Sequence, residues 1–213
     1  MGLLPEKGIL MNIGVSQIDI TPPVGIDLCG FAKRIQPSVG ILDPLAARGL
    51  YLEQNSERLL WIHADLLGFE RELVLEFRKW VRQRWNLEER QVLVSATHTH
   101  SGPATIHLQE AGKYDARYMA TLYSRLQNAA EAAMSRTEPC NVVMIEGRCT
   151  LAIDRRKKAT PHTDPRVGGI GFQRSNGEYI AVITNYAMHA VAMGPSNRMI
   201  SADMPGRTAA RLT

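Results

Sequence analysis

Two histidines separated by a single threonine follow a short apolar run in the middle of this chain. The run is residues 92–94, and His98 and His100 come just before Gly102-Pro103. In extended backbone, residues i and i+2 project to the same face. The spacing therefore predicts two imidazoles side by side at the end of a strand. Imidazoles placed in this way bind metal ions or transfer protons, although a single histidine is more often a surface or core residue.

Other predicted strand ends carry residues that could complete a metal site. His63 and Asp65 end one predicted strand, and His189 follows another. A catalytic zinc ion usually has three protein ligands, and it takes neutral imidazoles at about 2.0 Å. Such an ion polarises a carbonyl group and lowers the pKa of water. Folding would have to bring His98 and His189 together, with their nitrogens roughly 3–3.5 Å apart.

Several charged residues could support this chemistry. Asp65 and Asp203 are suited to orienting the metal ligands through hydrogen bonds, and a turn or capping role is the alternative for each. Arg155 and His100 are suited to stabilising negative charge on a substrate oxygen. The alternative for the basic run at residues 155–158 is an ordinary solvated loop.

Composition indicates an ordinary globular protein. The 213 residues are 45% hydrophobic and 22% charged, which fits one domain or a large part of one. A formal net charge of +4 is mild, and the basic residues are scattered except at 155–158. We therefore expect no nucleic-acid partner.

The cysteines and the N-terminus bear on location. The three cysteines lie far apart without a C-x-x-C pair, which argues against a thiolate zinc site and favours a reduced, cytoplasmic chain. The sequence shows no signal-peptide pattern and no apolar run of membrane length. We therefore expect a cytoplasmic protein without a membrane span.

Apolar periodicity predicts an α/β fold in which mixed β-sheets carry flanking helices. The predicted strands are 11–20, 45–53, 58–66, 92–94, 141–145 (resuming at 149–153), 167–173 and 178–188; the predicted helices are 69–85, 115–134 and 206–213. The helix between the third and fourth strands predicts a crossover with parallel pairing, and it places the metal site at the carboxyl ends of strands. Asn176-Gly177 predicts a hairpin turn.

Two further segments bear on the function and the extent of the protein. Residues 24–44, rich in glycine and proline, are predicted to form a long irregular loop, which is either functional or a disordered surface excursion. The last predicted helix stops after about two turns without a cap. We therefore expect the protein to continue beyond residue 213.

Seven segments occur in an order that resembles the neutral/alkaline non-lysosomal ceramidase family, in its N-terminal catalytic domain. They are GVSQIDITPPVGIDLCGFA, GILDPLAARGLYLE, ADLLG, VLVSATHTHSGP, AIDRR, NYAMHAVAM and SADMPGR. The resemblance implies a zinc-dependent enzyme that hydrolyses the amide of ceramide to a fatty acid and sphingosine. TPPVG and DPL are similar to bacterial relatives whose substrates are not established.

The resemblance also implies roles for individual residues. His98 resembles the first zinc ligand of the family and His189 the second, while His100 resembles the histidine that assists the tetrahedral intermediate beside the metal. Arg155 resembles the arginine of an Asn-Arg pair, with Asp154 at the asparagine position. The remaining family ligands, a glutamate and a tyrosine, are expected beyond residue 213.

The leading hypothesis is therefore a zinc-dependent hydrolase of an amide bond in a lipid or another small molecule. Water activated by the metal would attack the carbonyl, while His100 and Arg155 stabilise the developing charge. The alternative is a non-catalytic fragment that acts as a binding or scaffold domain, because two histidines alone hold metal weakly. The sequence does not predict an oligomeric state.

Overall fold

A seven-stranded mixed sheet forms the centre of the computed structural model, which describes residues 9–32, 34, 36–156 and 162–212. In chain order the elements are β1 (Ile9–Asp19), β2 (Gly40–Ile41), β3 (Ala46–Gln54), β4 (Glu57–Ala64), α1 (Arg71–Trp85), a 3-10 helix (Glu89–Gln91), β5 (Val92–Ala96), α2 (Ala116–Ser135), β6 (Glu138–Arg148), β7 (Arg166–Gln173), β8 (Tyr179–Tyr186), β9 (Met199–Ile200) and α3 (Asp203–Leu212). The sheet order is β5-β4-β3-β1-β6-β7-β8, and β2 pairs with β9 separately. The predicted α/β class, with a mixed sheet and flanking helices, is confirmed.

The pairing of β4 with β5 sets up one side of the candidate site. The two strands run parallel, with Leu60 opposite Val92 and Ala64 opposite Ala96, and α1 forms the crossover between them. The predicted parallel pairing is therefore confirmed. Because parallel strands end at the same edge, the loops after them start side by side, and Thr97 N donates to Ala64 O at 3.0 Å.

The helix α2 covers one face of the sheet. Its N-cap Asp115 accepts a hydrogen bond from the main-chain N of Tyr118 at 2.9 Å, which satisfies one of the free N–H groups of the first turn. Its apolar face, including Leu122 and Leu126, is buried in the main core. Gly49 allows the close approach, because a Cβ there would lie 2.6 Å from a carbonyl oxygen of α2.

The strands β6, β7 and β8 form the other part of the sheet. They pair antiparallel, and the Asn176-Gly177 hairpin between β7 and β8 is confirmed, with Gly177 at φ +88°. A smaller apolar cluster joins this part to the centre of the sheet; its buried members are Ile13 of β1, Leu50 of β3, Cys140 of β6 and Phe172 of β7.

The prediction that a strand resumes at residues 149–153 is wrong. β6 runs without a break to Arg148, and the next residues form a loop. The Tyr186 hydroxyl occupies the backbone groups that a strand would use, because it donates to Cys149 O at 3.1 Å and accepts from Ala152 N at 2.8 Å. Leu151 and Ile153 are exposed.

Two further segments differ from expectation. The helix predicted at 206–213 begins at Asp203, because the Ser201 hydroxyl accepts from Asp203 N and caps the first turn, where Pro205 is tolerated. The loop at 24–44 contains β2, which pairs with β9.

Among the described residues, no helix combines the length and the apolar character that a membrane span needs.

Candidate metal centre

Three histidines from two distant parts of the chain come together beyond the ends of β5 and β8. One ligand nitrogen from each of His98, His100 and His189 can be chosen so that all three lie within 4.8 Å of one another. The Nε2 atoms of His100 and His189 are 3.0 Å apart. Two nitrogens on one tetrahedral zinc ion would be roughly 3.3 Å apart. The three residues therefore form a group that could hold a metal ion.

The backbone at His98 does not continue the extended conformation of β5, which the sequence did not indicate. β5 ends at Ala96, and His98 has a left-handed backbone with φ +63°, which is uncommon outside glycine although histidine tolerates it. The expectation that both histidines extend from one strand face is therefore wrong. Their rings nevertheless lie 5.0 Å apart between centroids.

A main-chain carbonyl orients the His98 ring. Its Nδ1 lies 2.7 Å from Leu67 O. A carbonyl can only accept, so Nδ1 carries the hydrogen and Nε2 keeps a free lone pair. Ligating histidines usually have such a partner on their other nitrogen. Sequence reasoning missed Leu67, since any residue type supplies a carbonyl and no pattern marks it.

His100 is the most enclosed of the three. It is 9% exposed, and its main-chain N donates to Ala190 O at 3.3 Å. The ring meets Phe31 edge-on at 5.0 Å. Burial first, and then the neighbouring His189 and His98, lower the pKa of His100 to about 4. His100 is therefore neutral at pH 7, which is the form that binds metals.

Gly30 explains how the loop at 24–44 can lie against this ring. It has φ +107°, and a Cβ there would lie 2.6 Å from His100 ring atoms. The loop therefore forms a wall of the site through Gly30 and Phe31. Its length was the only sign of this in the sequence, and the geometry favours the functional interpretation of the loop over a disordered excursion.

Asp203 holds the turn that follows His189. Its carboxylate, 2% exposed, accepts hydrogen bonds from Ala192 N and Met193 N, both at 3.2 Å. Burial and the nearby His98 lower the pKa of His189, whereas the charge of Asp203 opposes that change. The structure thus brings Asp203 to the loop that carries His189.

Asp65 lies apart from the histidines. Its carboxylate is fully buried and accepts from Ala46 N at 3.0 Å and from Arg48 Nη1 at 2.9 Å. Burial raises the pKa of Asp65, and the guanidinium of Arg48 opposes that rise. Among the hydrogen bonds of the described residues, none joins Asp65 to the three histidines. The geometry favours the turn-stabilising alternative, because both partners belong to β3.

Arg155 is exposed and close enough to His189 for its positive charge to lower the pKa of that ring. Asp154 pairs with Arg156 instead, at 2.7 Å from Nε to Oδ1. The other half of the basic run, Lys157 and Lys158, lies outside the described residues.

Comparison with known proteins identifies the family. The profile described as "Neutral/alkaline non-lysosomal ceramidase, N-terminal" matches residues 11–213. The chain belongs to this family. The resemblance found in the seven segments is thereby confirmed.

Individual relatives agree with this assignment. The chain is 24% identical to a protein named neutral ceramidase from Pseudomonas aeruginosa, over 92% of this chain and 32% of the relative. It is 25% identical to a neutral ceramidase from Mycobacterium tuberculosis, over 92% and 35% of the two chains. The chain thus spans about a third of the length of the curated relatives it matches.

A solved structure shows the same fold. The crystal structure of neutral ceramidase from Pseudomonas aeruginosa matches with a TM-score of 0.77 at 21% identity. The match covers 91% of this chain and 34% of the other.

Proposed function

We propose that this chain forms part of a zinc-dependent amidohydrolase whose substrate is ceramide or a related N-acyl lipid. The observation that carries the proposal is the convergence of His98, His100 and His189, which offer ligand nitrogens within 4.8 Å of one another. Family membership supports the reaction class. Residues 1–213 would then be the N-terminal portion of the catalytic domain.

The donor set fits zinc. Imidazoles are ligands that zinc prefers, and burial favours the neutral forms of His100 and His189. His98 offers Nε2, because Leu67 O holds its Nδ1–H. We assign His98 and His189 as ligands and His100 as the acid–base residue beside them. When bound, zinc supplies a Lewis acid that polarises the amide carbonyl and makes water a stronger nucleophile at neutral pH.

His100 would move the proton. Its imidazole is neutral at pH 7, so Nε2 can accept the proton that water loses on adding to the amide carbon. The same atom can then donate that proton to the nitrogen of the leaving amine. Arg155 supplies positive charge near His189 and would stabilise negative charge on the carbonyl oxygen.

A Zn²⁺ titration of the metal-free 213-residue chain by calorimetry tests the metal assignment. His98→Ala should weaken binding by at least about 100-fold, which exceeds the usual effect of residues that only support a ligand. His107→Ala is the matched control, because His107 is 84% exposed and lies outside the three-histidine group. If neither the 213-residue chain nor the longer protein, which would carry the ligands expected beyond residue 213, binds Zn²⁺, the metal proposal is wrong.

Fatty-acid release by the longer protein, with the ligands expected beyond residue 213, then tests the reaction on an N-acylsphingosine, an N-acyl amino acid and a fatty-acid ester. Release from the N-acylsphingosine above that from the ester supports the proposed substrate class. Zn²⁺ binding without release from any of the three supports the alternative, a non-catalytic binding domain.

A further inference from the structure

One buried arginine connects the two parts of the chain that carry the histidines. Arg34, in the loop between β1 and β3, is 9% exposed. Its Nη1 donates to the main-chain oxygen of His100 at 2.8 Å. Its Nε donates to Pro195 O, a longer bond of 3.4 Å. Pro195 lies in the segment after His189, so one guanidinium contacts both neighbourhoods.

Arg34 also acts on the His100 ring through an aromatic neighbour. Its guanidinium lies 4.7 Å from the centre of the Phe31 ring, and Phe31 in turn meets the His100 ring edge-on at 5.0 Å. The guanidinium favours this position electrostatically, because the face of an aromatic ring is negative. The backbone and the ring of His100 therefore both depend on Arg34.

The guanidinium of Arg34 has no carboxylate partner among the described residues. Its Nη2 is buried there without a hydrogen-bond partner. An unpaired buried charge is strongly destabilising. A neutral donor would link the two loops with less loss of stability, so stability alone does not explain an arginine here.

We infer that Arg34 is a positioning residue of the three-histidine site, setting the place of His100 relative to His189 through the His100 carbonyl, Phe31 and Pro195. The inference deepens the proposed function and rests on it. Arg34 does not itself touch the nitrogens that would hold the metal; it acts through His100.

The first test uses the metal-free chain and hydrogen exchange followed by mass spectrometry. Arg34→Met should make peptides covering 97–103 and 189–197 exchange about tenfold faster, the size expected for loss of a charged hydrogen bond. Arg58→Met is the matched control. Arg58 donates to Trp85 O at 3.3 Å and to Asn86 O at 3.0 Å, and it lies at the opposite end of β4.

The second test measures metal binding with Zn²⁺ and with Co²⁺ as a spectroscopic probe. Arg34→Met should weaken Zn²⁺ binding by about 10- to 100-fold, as loss of a supporting partner does, and should shift the visible absorption bands of bound Co²⁺. Arg34→Lys should stay within about threefold of wild type, because an ammonium can still donate to the His100 carbonyl. Arg58→Met should change neither the affinity nor the spectrum.

Unchanged exchange in a folded Arg34→Met variant would overturn the inference. So would equal losses in Arg34→Met and Arg58→Met, since these would mark a general loss of stability. If Arg34→Met does not fold, Phe31→Leu, which removes only the ring contact, must show faster exchange at 97–103. If neither the 213-residue chain nor the longer protein binds either metal, the proposed function fails, while the exchange comparison still decides the role of Arg34.

Discussion

The two parts of the sheet hold their histidines in different ways. The part made of β1, β3, β4 and β5 lies against α1 and α2 and shares a large buried core with them. His98 and His100 follow directly from it. The β6–β7–β8 part contributes Cys140 and Phe172 to a smaller apolar cluster that it shares with Ile13 of β1 and Leu50 of β3, and residues such as Met144 are 74% exposed. His189 follows from this less buried part.

This difference shows which contacts position each histidine of the site. Packing against α1 and α2 fixes the start of the His98 loop, whereas β8 alone gives His189 little support. His189 depends instead on loop contacts, through the bond from His100 N to Ala190 O and through Asp203. The buried core therefore positions His98 and His100, whereas a few polar contacts position His189.

The largest effect is expected from a core substitution in the covered part. Leu122→Ala, at a position with 0% exposure, should lower the free energy of unfolding by about 2–5 kcal/mol, because it removes buried methyl groups and leaves a cavity. Ile183→Ala in β8, where the side chain is only partly buried, should lower it by about 1 kcal/mol. Urea unfolding measures both, and equal losses would remove the contrast between the two parts.

The second-largest effect is expected at Asp65, which follows β4 and is hydrogen-bonded to β3. Asp65→Asn should lower the free energy of unfolding by about 2–3 kcal/mol, below the usual range for a fully buried ion pair because Arg48 is 26% exposed. Zn²⁺ affinity should stay within about twofold, since supporting partners of ligands change it more. A large loss of Zn²⁺ affinity would instead place Asp65 among the residues that support the metal ligands.

His63, on β4, predicts that the stability of the protein depends on pH. His63 lies 2.9 Å from the Ser95 hydroxyl, and burial lowers its pKa to about 4. Between this value and the unfolded value of about 6.5, only the unfolded chain binds the proton. Stability should therefore fall as the pH drops through this window, by at most about 1.4 kcal/mol per pH unit for this group.

His63→Gln should reduce that slope in urea unfolding from pH 6.5 to 4. His100 titrates in the same range, so part of the slope should remain. A full wild-type slope in His63→Gln would contradict the prediction.

The smallest effect is expected where polar contacts alone hold His189. Asp203→Asn keeps one acceptor and tolerates the left-handed backbone at φ +56°, but it removes the negative charge. Zn²⁺ affinity should fall about tenfold, as for other supporting residues. Asp164→Asn is the control, because that aspartate pairs with Arg166 at the surface. Unchanged affinity in Asp203→Asn would show that β8 positions His189 without this contact.

The sequence by itself determined the local elements and the family. Amphipathic periodicity predicted α1 and α2, the strand–helix–strand order predicted the parallel pair β4–β5, and Asn176-Gly177 predicted the hairpin. Each of these features depends on residues that are close together in the sequence, so a local pattern predicts it. The same holds for the histidines as candidates, since their residue type is visible before folding.

Only the tertiary structure decided how the site is assembled. β5 and β8 are the opposite edges of the sheet, which would lie about 29 Å apart if it were flat. The loops after the two strands nevertheless bring the three histidines within reach of one metal ion, and no local pattern along the chain encodes this long-range approach. The contacts that then orient the rings come from Leu67 O, Arg34 and Phe31, which no spacing along the chain relates to the histidines.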